Sequence, residues 1–135
     1  MTPICLIVAG VVRATLPDVE FTLAWDHSVE KTRWEERYRA DGARLVLVEA
    51  RVQGSGAGME PPVGAALRDG WWTWHPQTPL AELRLARSTY TSDYTVCAKD
   101  GCSELGARVG NVADENVVVV RTCGGATANR SGGAR

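Results

Sequence analysis

The dipeptide Asp41-Gly42 divides two runs whose residues change character at every second position. Before it, Trp34, Glu36 and Tyr38 interleave with Arg33, Glu35, Arg37 and Arg39. After it, Leu45, Leu47, Glu49 and Arg51 alternate with Val46, Val48 and Val52. A period of two is that of a strand, and Asp-Gly is a tight hairpin signal. Residues 32–53 therefore read as a two-stranded meander. Upstream, Phe21, Leu23 and Trp25 alternate with Thr22, Ala24 and Asp26, which marks a half-buried strand.

Further strand-like runs are Trp71–Trp74, Leu83–Ser88, Tyr94–Cys97 and Val117–Thr122, separated by Pro76, Pro79, Ser92-Asp93, Gly110-Asn111 and Asp114-Glu115. Residues 79–86 fit two helical turns or a strand equally. Short strands at close spacing predict an all-β fold: an antiparallel β-sandwich or partly open barrel of about eight to ten strands, with little or no helix. A chain of 135 residues suits one domain. Residues 1–123 are expected to form it, and the small, polar, glycine-rich residues 124–135 to be disordered.

The apolar run Ile4–Val12 fails as an export signal or membrane span. No basic residue precedes it, Arg13 ends it, and it is far shorter than the roughly 20 residues a spanning helix needs. Its β-branched content reads as a first strand. Fifteen basic against sixteen acidic residues leave a formal charge of −1, so no global field draws in nucleic acid or an anionic membrane.

Four Cys allow three pairings. Cys97 and Cys102 flank Ala98-Lys99-Asp100-Gly101, which suits a four-residue hairpin loop that sets the two thiols opposite each other. Cys5 and Cys123 can join only if the first and last strands are neighbours. The alternative is four reduced, buried thiols. Zinc is a poor reading, because no second close Cys pair exists and both His lie upstream.

Three stretches hold the polar and aromatic chemistry. The run His27-Ser28-Val29-Glu30-Lys31-Thr32 ends the strand Phe21–Asp26 and is either a site-bearing loop or a solvated polar turn. A Ser28–His27 nucleophile with Glu35 or Glu49 is opposed by strand geometry, which points adjacent side chains to opposite faces. A metal site from His27, Glu35 and His75 has no ligand spacing to support it. Gly54-Ser55-Gly56-Ala57-Gly58-Met59-Glu60-Pro61-Pro62 can form an anion-holding nest or a flexible crossover, but lacks the phosphate-loop ending and the βαβ context of a nucleotide site. No cofactor is therefore expected. In Trp71-Trp72-Thr73-Trp74, alternation puts Trp72 and Trp74 on one face and Trp71 on the other.

Taken together, residues 21–32 and 54–62 resemble the uncharacterised bacterial and archaeal family catalogued as domain of unknown function 1850. The resemblance continues through Asp69-Gly70-Trp71-Trp72 and the paired Cys97 and Cys102 to near Cys123. Asp26 departs from it, since the family more usually has Thr before the His-Ser pair. The family pattern matches here at His27, Ser28, Val29, Thr32, Glu35, Glu49, Gly56, Gly58 and Met59. What the resemblance implies is a domain outside the cytoplasm, encoded beside tripartite transporters of the TAXI type, with the permease or its solute-binding protein as partner.

Two classes of function follow. One is a non-enzymatic accessory or ligand-binding domain of such a transporter, with His27, Ser28, Thr32, Glu35, Glu49, Gly56, Gly58 and Met59 as binding residues and no catalytic set. The other is a small enzyme in which His27 works with Glu35 or Glu49 as an acid–base pair. A purely structural role for the motifs stands beside both. The hairpin at Asp41-Gly42 sets Glu35 and Glu49 on neighbouring strands, and the second strand enters the glycine stretch at the His27 end. His27, Glu35, Glu49 and residues 54–59 are thus expected to converge on one polar patch.

Overall fold

A computed structural model describes residues 3–26, 32–54, 62–88, 92–110 and 117–126. Among the described residues, five strands precede the glycine stretch: β1 (Ile4–Val8), β2 (Val11–Leu16), β3 (Glu20–Asp26), β4 (Arg33–Asp41) and β5 (Arg44–Gln53). Seven follow: β6 (Ala66–Arg68), β7 (Trp71–Trp74), β8 (Thr78–Leu80), β9 (Leu83–Leu85), β10 (Thr95–Ala98), β11 (Gly101–Glu104) and β12 (Val118–Thr122). Two short helices, α1 (Leu105–Val109) and α2 (Cys123–Ala126), complete the set. The fold is all-β, as the alternation predicts. The strand count exceeds expectation because three-residue pairings such as β6 and β8 are too brief to show a period.

The strands form two open antiparallel sheets. The smaller has the order β2-β1-β12-β9; the larger runs β11-β10-β3-β4-β5-β7-β6, with β8 also paired to β5. The core lies between them, with Ile4, Leu6 and Val120 on one side and Phe21, Leu23 and Leu45 on the other. Phe21 and Tyr38 stack across β3 and β4 at 5.3 Å. Leu105 and Val109 of α1 close one margin. The Thr122 hydroxyl donates to the Ala43 carbonyl at 3.1 Å, pinning the β4–β5 turn to the smaller sheet.

The apolar run Ile4–Val12 is two strands rather than one. Ala9 and Gly10 both take positive φ, 51° and 80°, and fold Val11–Leu16 back onto β1. Residues 79–86, equally helix or strand by pattern, give the ends of β8 and β9. The Cys97–Cys102 loop is tighter than four residues: Ala98 pairs with Gly101, leaving Lys99 and Asp100 at the turn. Gly101 carries the positive φ, 113°, that releases the chain into β11.

β5 corrects the simple alternation. Tyr38 pairs with Leu47 but Arg37 pairs with Glu49, so Val48 is an extra residue, a β-bulge. Leu45 faces the core before the bulge; Val48, Ala50 and Val52 are buried after it. Strict alternation would hold Glu49 and Arg51 on the face of Leu45 and Leu47. The bulge turns both outward, onto the face of Glu35 and Arg37.

Both cysteine pairs are disulfides. Cys97–Cys102 spans adjacent strands with Cα atoms 4.0 Å apart. Cys5–Cys123 joins the ends of the domain with Cα atoms 5.1 Å apart, made possible by the pairing of β1 with β12. Two disulfides indicate an oxidising compartment. Among the described residues no helix is long and apolar enough to cross a membrane.

Candidate functional site

The outer face of the larger sheet, turned away from the core, presents charges in cross-strand register. Thr22 pairs with Arg37 and Arg37 with Glu49; one level on, Ala24 pairs with Glu35 and Glu35 with Arg51. Opposite charges facing each other across strands hold one another in place. Arg51 Nε donates to Glu35 Oε1 at 2.9 Å, and its Nη2 lies 2.8 Å from the same oxygen. Arg37 Nε donates to Glu49 Oε1 at 3.2 Å, and its Nη1 to Glu20 Oε1 at 3.4 Å. Arg33 extends the ladder to Asp26 at 3.3 Å and to Glu35 at 3.7 Å.

Trp71 and His75 enter from the neighbouring strand. The Arg51 guanidinium lies over the Trp71 ring at 4.1 Å, a cation–π contact. His75 Nε2 stands 3.7 Å from Glu49 Oε2. Two hollows result. One, about 300 Å³, is lined by Thr22, Glu35, Arg37, Glu49 and Arg51. The second, about 420 Å³, shares Glu49 and Arg51 and is lined also by Arg68, Asp69, Trp71, His75, Gly64, Ala66 and Thr73. The ion pairs are partly exposed, so each contributes modestly to stability. Their main effect is to fix side-chain positions on rigid strands.

The opposite, inner face of the same sheet holds most of the indoles. Trp25 and Trp34 stack at 6.2 Å, Tyr94 meets Trp25 edge-on at 6.0 Å, and Trp74 meets Trp34 edge-on at 6.4 Å. Trp34 and Trp72 flank the fully buried Val52 in one cross-strand row. The alternation of Trp71 against Trp72 and Trp74 is realised, and only Trp71 reaches the charged face. Here too the Tyr38 hydroxyl donates to Glu36 Oε1 at 2.5 Å. Burial, reinforced by that bond, pushes the Tyr38 phenol far above its ordinary value; burial and Asp93 raise Tyr94 as well.

Glu35 and Glu49, both expected at the site, line the first hollow together. Thr32 is half-buried immediately before β4. His27, Ser28, Gly56, Gly58 and Met59 lie outside the described residues. Their flanks do approach each other: Asp26 ends β3 beside Arg33, and Gln53, which ends β5 beside Trp71, leads into Gly54 at the same margin of the sheet. The sequence reading did not assign Arg37, Arg51, Trp71 or His75 to the site. Arg37 and Arg51 stand in the same alternating runs as Glu35 and Glu49, but the hairpin register read from the sequence sets Glu35 opposite Glu49 and Arg51 opposite Arg33. The observed register instead faces Glu35 with Arg51 and Glu49 with Arg37. The approach of β7 to β5 has no local signal.

Among the described residues no group of three His, Cys, Asp or Glu side chains is placed to hold a metal ion. A family model described as a domain of unknown function (DUF1850) matches residues 21–105, more than half of the chain. That span runs from Phe21 on β3 to Leu105 at the start of α1 and so takes in the strands of the larger sheet. No curated protein and no solved structure matches the sequence.

Proposed function

Because the chain belongs to the DUF1850 family, we propose that it is a non-enzymatic binding domain serving a tripartite transporter of the TAXI type outside the cytoplasm. The observation that carries this reading is the outer face of the larger sheet, where Glu35 is held by Arg51 and Glu49 by Arg37. Carboxylates already engaged by guanidinium donors make a rigid recognition surface and poor proton shuttles. The two disulfides support a site of action in an oxidising compartment such as the periplasm. The link to the transporter rests on the family resemblance.

Affinity capture tests the proposal. The full chain is immobilised and exposed to a detergent-solubilised TAXI-type permease and to the solute-binding protein of the same transporter. Saturable association with either at micromolar concentration, weakened by Arg51→Ala, is the expected result. Absence of association with both removes the reading. The expected acid–base partner, His27, lies outside the described residues; a different pair, His75 with Glu49, has one observation behind it, their 3.7 Å approach. It would require turnover that His75→Ala abolishes.

A further inference from the structure

We propose that the hollow beside β6 and β7 binds a small zwitterion of the amino-acid class, carboxylate toward Arg51 and Arg68 and ammonium toward Glu49. This rests on the reading of the outer face as a binding surface and names what that surface takes. At about 420 Å³ the hollow lies in the range of small-molecule sites. Gly64, Ala66 and Thr73, which also line it, carry short side chains or none and leave room for an aliphatic body.

The charges argue for two opposite poles on one ligand. Arg51 and Glu49 each have one side fixed by a partner in the first hollow and another turned toward the second. Arg51 gives Nε and Nη2 to Glu35 and stacks on Trp71; among the described residues its Nη1 has no hydrogen-bond partner and can meet a ligand oxygen. Glu49 gives Oε1 to Arg37, while Oε2 faces His75 at 3.7 Å, beyond hydrogen-bonding distance. The two residues stand one pleat apart on β5, roughly 6.5 Å along the strand. A fixed cation and a fixed anion at that spacing suit a short molecule carrying both charges.

Arg68 and Asp69 repeat this balance at the rim, and neither has an ion-pair partner among the described residues. Arg68 pairs with Trp71 in the β6–β7 ladder, so Trp71 has Arg51 stacked on it and Arg68 beside it. The hollow therefore presents two guanidinium groups and two carboxylates, with His75 as a further polar group. A simple anion would meet Glu49 and Asp69 as unfavourable neighbours, and a simple cation would meet Arg51 and Arg68. A zwitterion pairs with both signs without changing the net charge of the site.

Titration of the isotope-labelled full chain, followed by NMR, tests this with γ-aminobutyrate and norvaline as probes. Butyrate and butylamine serve as controls that each carry a single charge. At least one zwitterion is expected to give saturable shifts at Ala66, Arg68, Trp71 and Thr73 in the millimolar range. Each control should bind about tenfold more weakly, the loss of one charged hydrogen bond. Arg68→Gln and Glu49→Gln should each weaken the zwitterion by about the same factor with an otherwise native spectrum. No saturable shift with either zwitterion, or equal binding of butyrate or butylamine, overturns the inference. If transporter components still associate in that case, the broader reading survives; if they do not, both fall.

Discussion

Arg87 and Asp93 are joined by two parallel hydrogen bonds, Nε to Oδ1 and Nη2 to Oδ2, each 3.2 Å long, with both side chains largely withdrawn from water. The same carboxylate accepts the Tyr94 N–H at 2.9 Å and the Gly106 N–H at 2.7 Å. One side chain thus ties the approach to β10 to the first turn of α1. Asp93→Asn removes the charge opposing Arg87 and is expected to destabilise the fold by about 2–3 kcal/mol. A lowered urea midpoint with unchanged slope is the check.

Gly106 carries the sharper consequence of that clamp. Helix propensity alone favours Ala over Gly by about 1 kcal/mol. A Cβ at this position, however, would lie 2.6 Å from Arg87 Nη2 and 3.0 Å from Asp93 Oδ2. Gly106→Ala should therefore lower the melting temperature, against the propensity. Combined with Asp93→Asn it should cost less than the two losses added, since the substitutions act on one contact.

The β5 bulge makes a prediction about deletions. Removing Val48 restores an ordinary ladder in which Leu47 stays opposite Tyr38 and Glu49 stays opposite Arg37. That variant should keep a native circular-dichroism spectrum and lose about 1.5–3 kcal/mol for one buried Val. Removing Ala50 instead brings Glu49 inward, opposite Glu36, where like charges face each other on the buried side. The Ala50 deletion should not fold, and amide exchange would separate the two outcomes.

The two disulfides should differ in what they contribute. Cys5–Cys123 spans a separation of 118 residues and Cys97–Cys102 a separation of 5. On the loop-entropy account, replacing the long pair by Ser costs about 5 kcal/mol and the short pair about 2 kcal/mol. Urea unfolding of the two double variants measures the order. A greater loss for the short pair would show that its cross-strand packing outweighs chain entropy.

Alkaline stability should follow Tyr38. Its phenol is held neutral in the folded state well above the ordinary tyrosine range by burial and by the bond to Glu36. The unfolded chain ionises near pH 10, so stability is fully present below that pH and falls as pH rises through it. Urea midpoints should drop between about pH 9 and about pH 11, and Tyr38→Phe should reduce that drop.

The all-β class, the β4–β5 hairpin and the facing of the Trp71–Trp74 run were legible because each is a local, period-two property of the chain. The hairpin also gave the adjacency of Glu35 and Glu49, since both lie within one turn's reach of Asp41-Gly42. The bulge was not legible: Leu45, Leu47, Glu49 and Arg51 form an unbroken alternation, and only burial of Val48 and Ala50 reveals the shift. The return of β7 onto β5, which delivers Trp71 and His75, is a long-range pairing without a local mark. The clamp at Asp93 looked like an ordinary turn residue because its partners Arg87 and Gly106 lie on either side of a strand.

The bond between Cys5 and Cys123 has a mechanical meaning. A pull applied to the chain on either side of these residues passes directly from one sulfur to the other. The strands between them carry none of the load, so β4, β5 and β7 stay in register while the domain is under tension. The charged face can then keep its shape when the two ends of the chain are drawn apart.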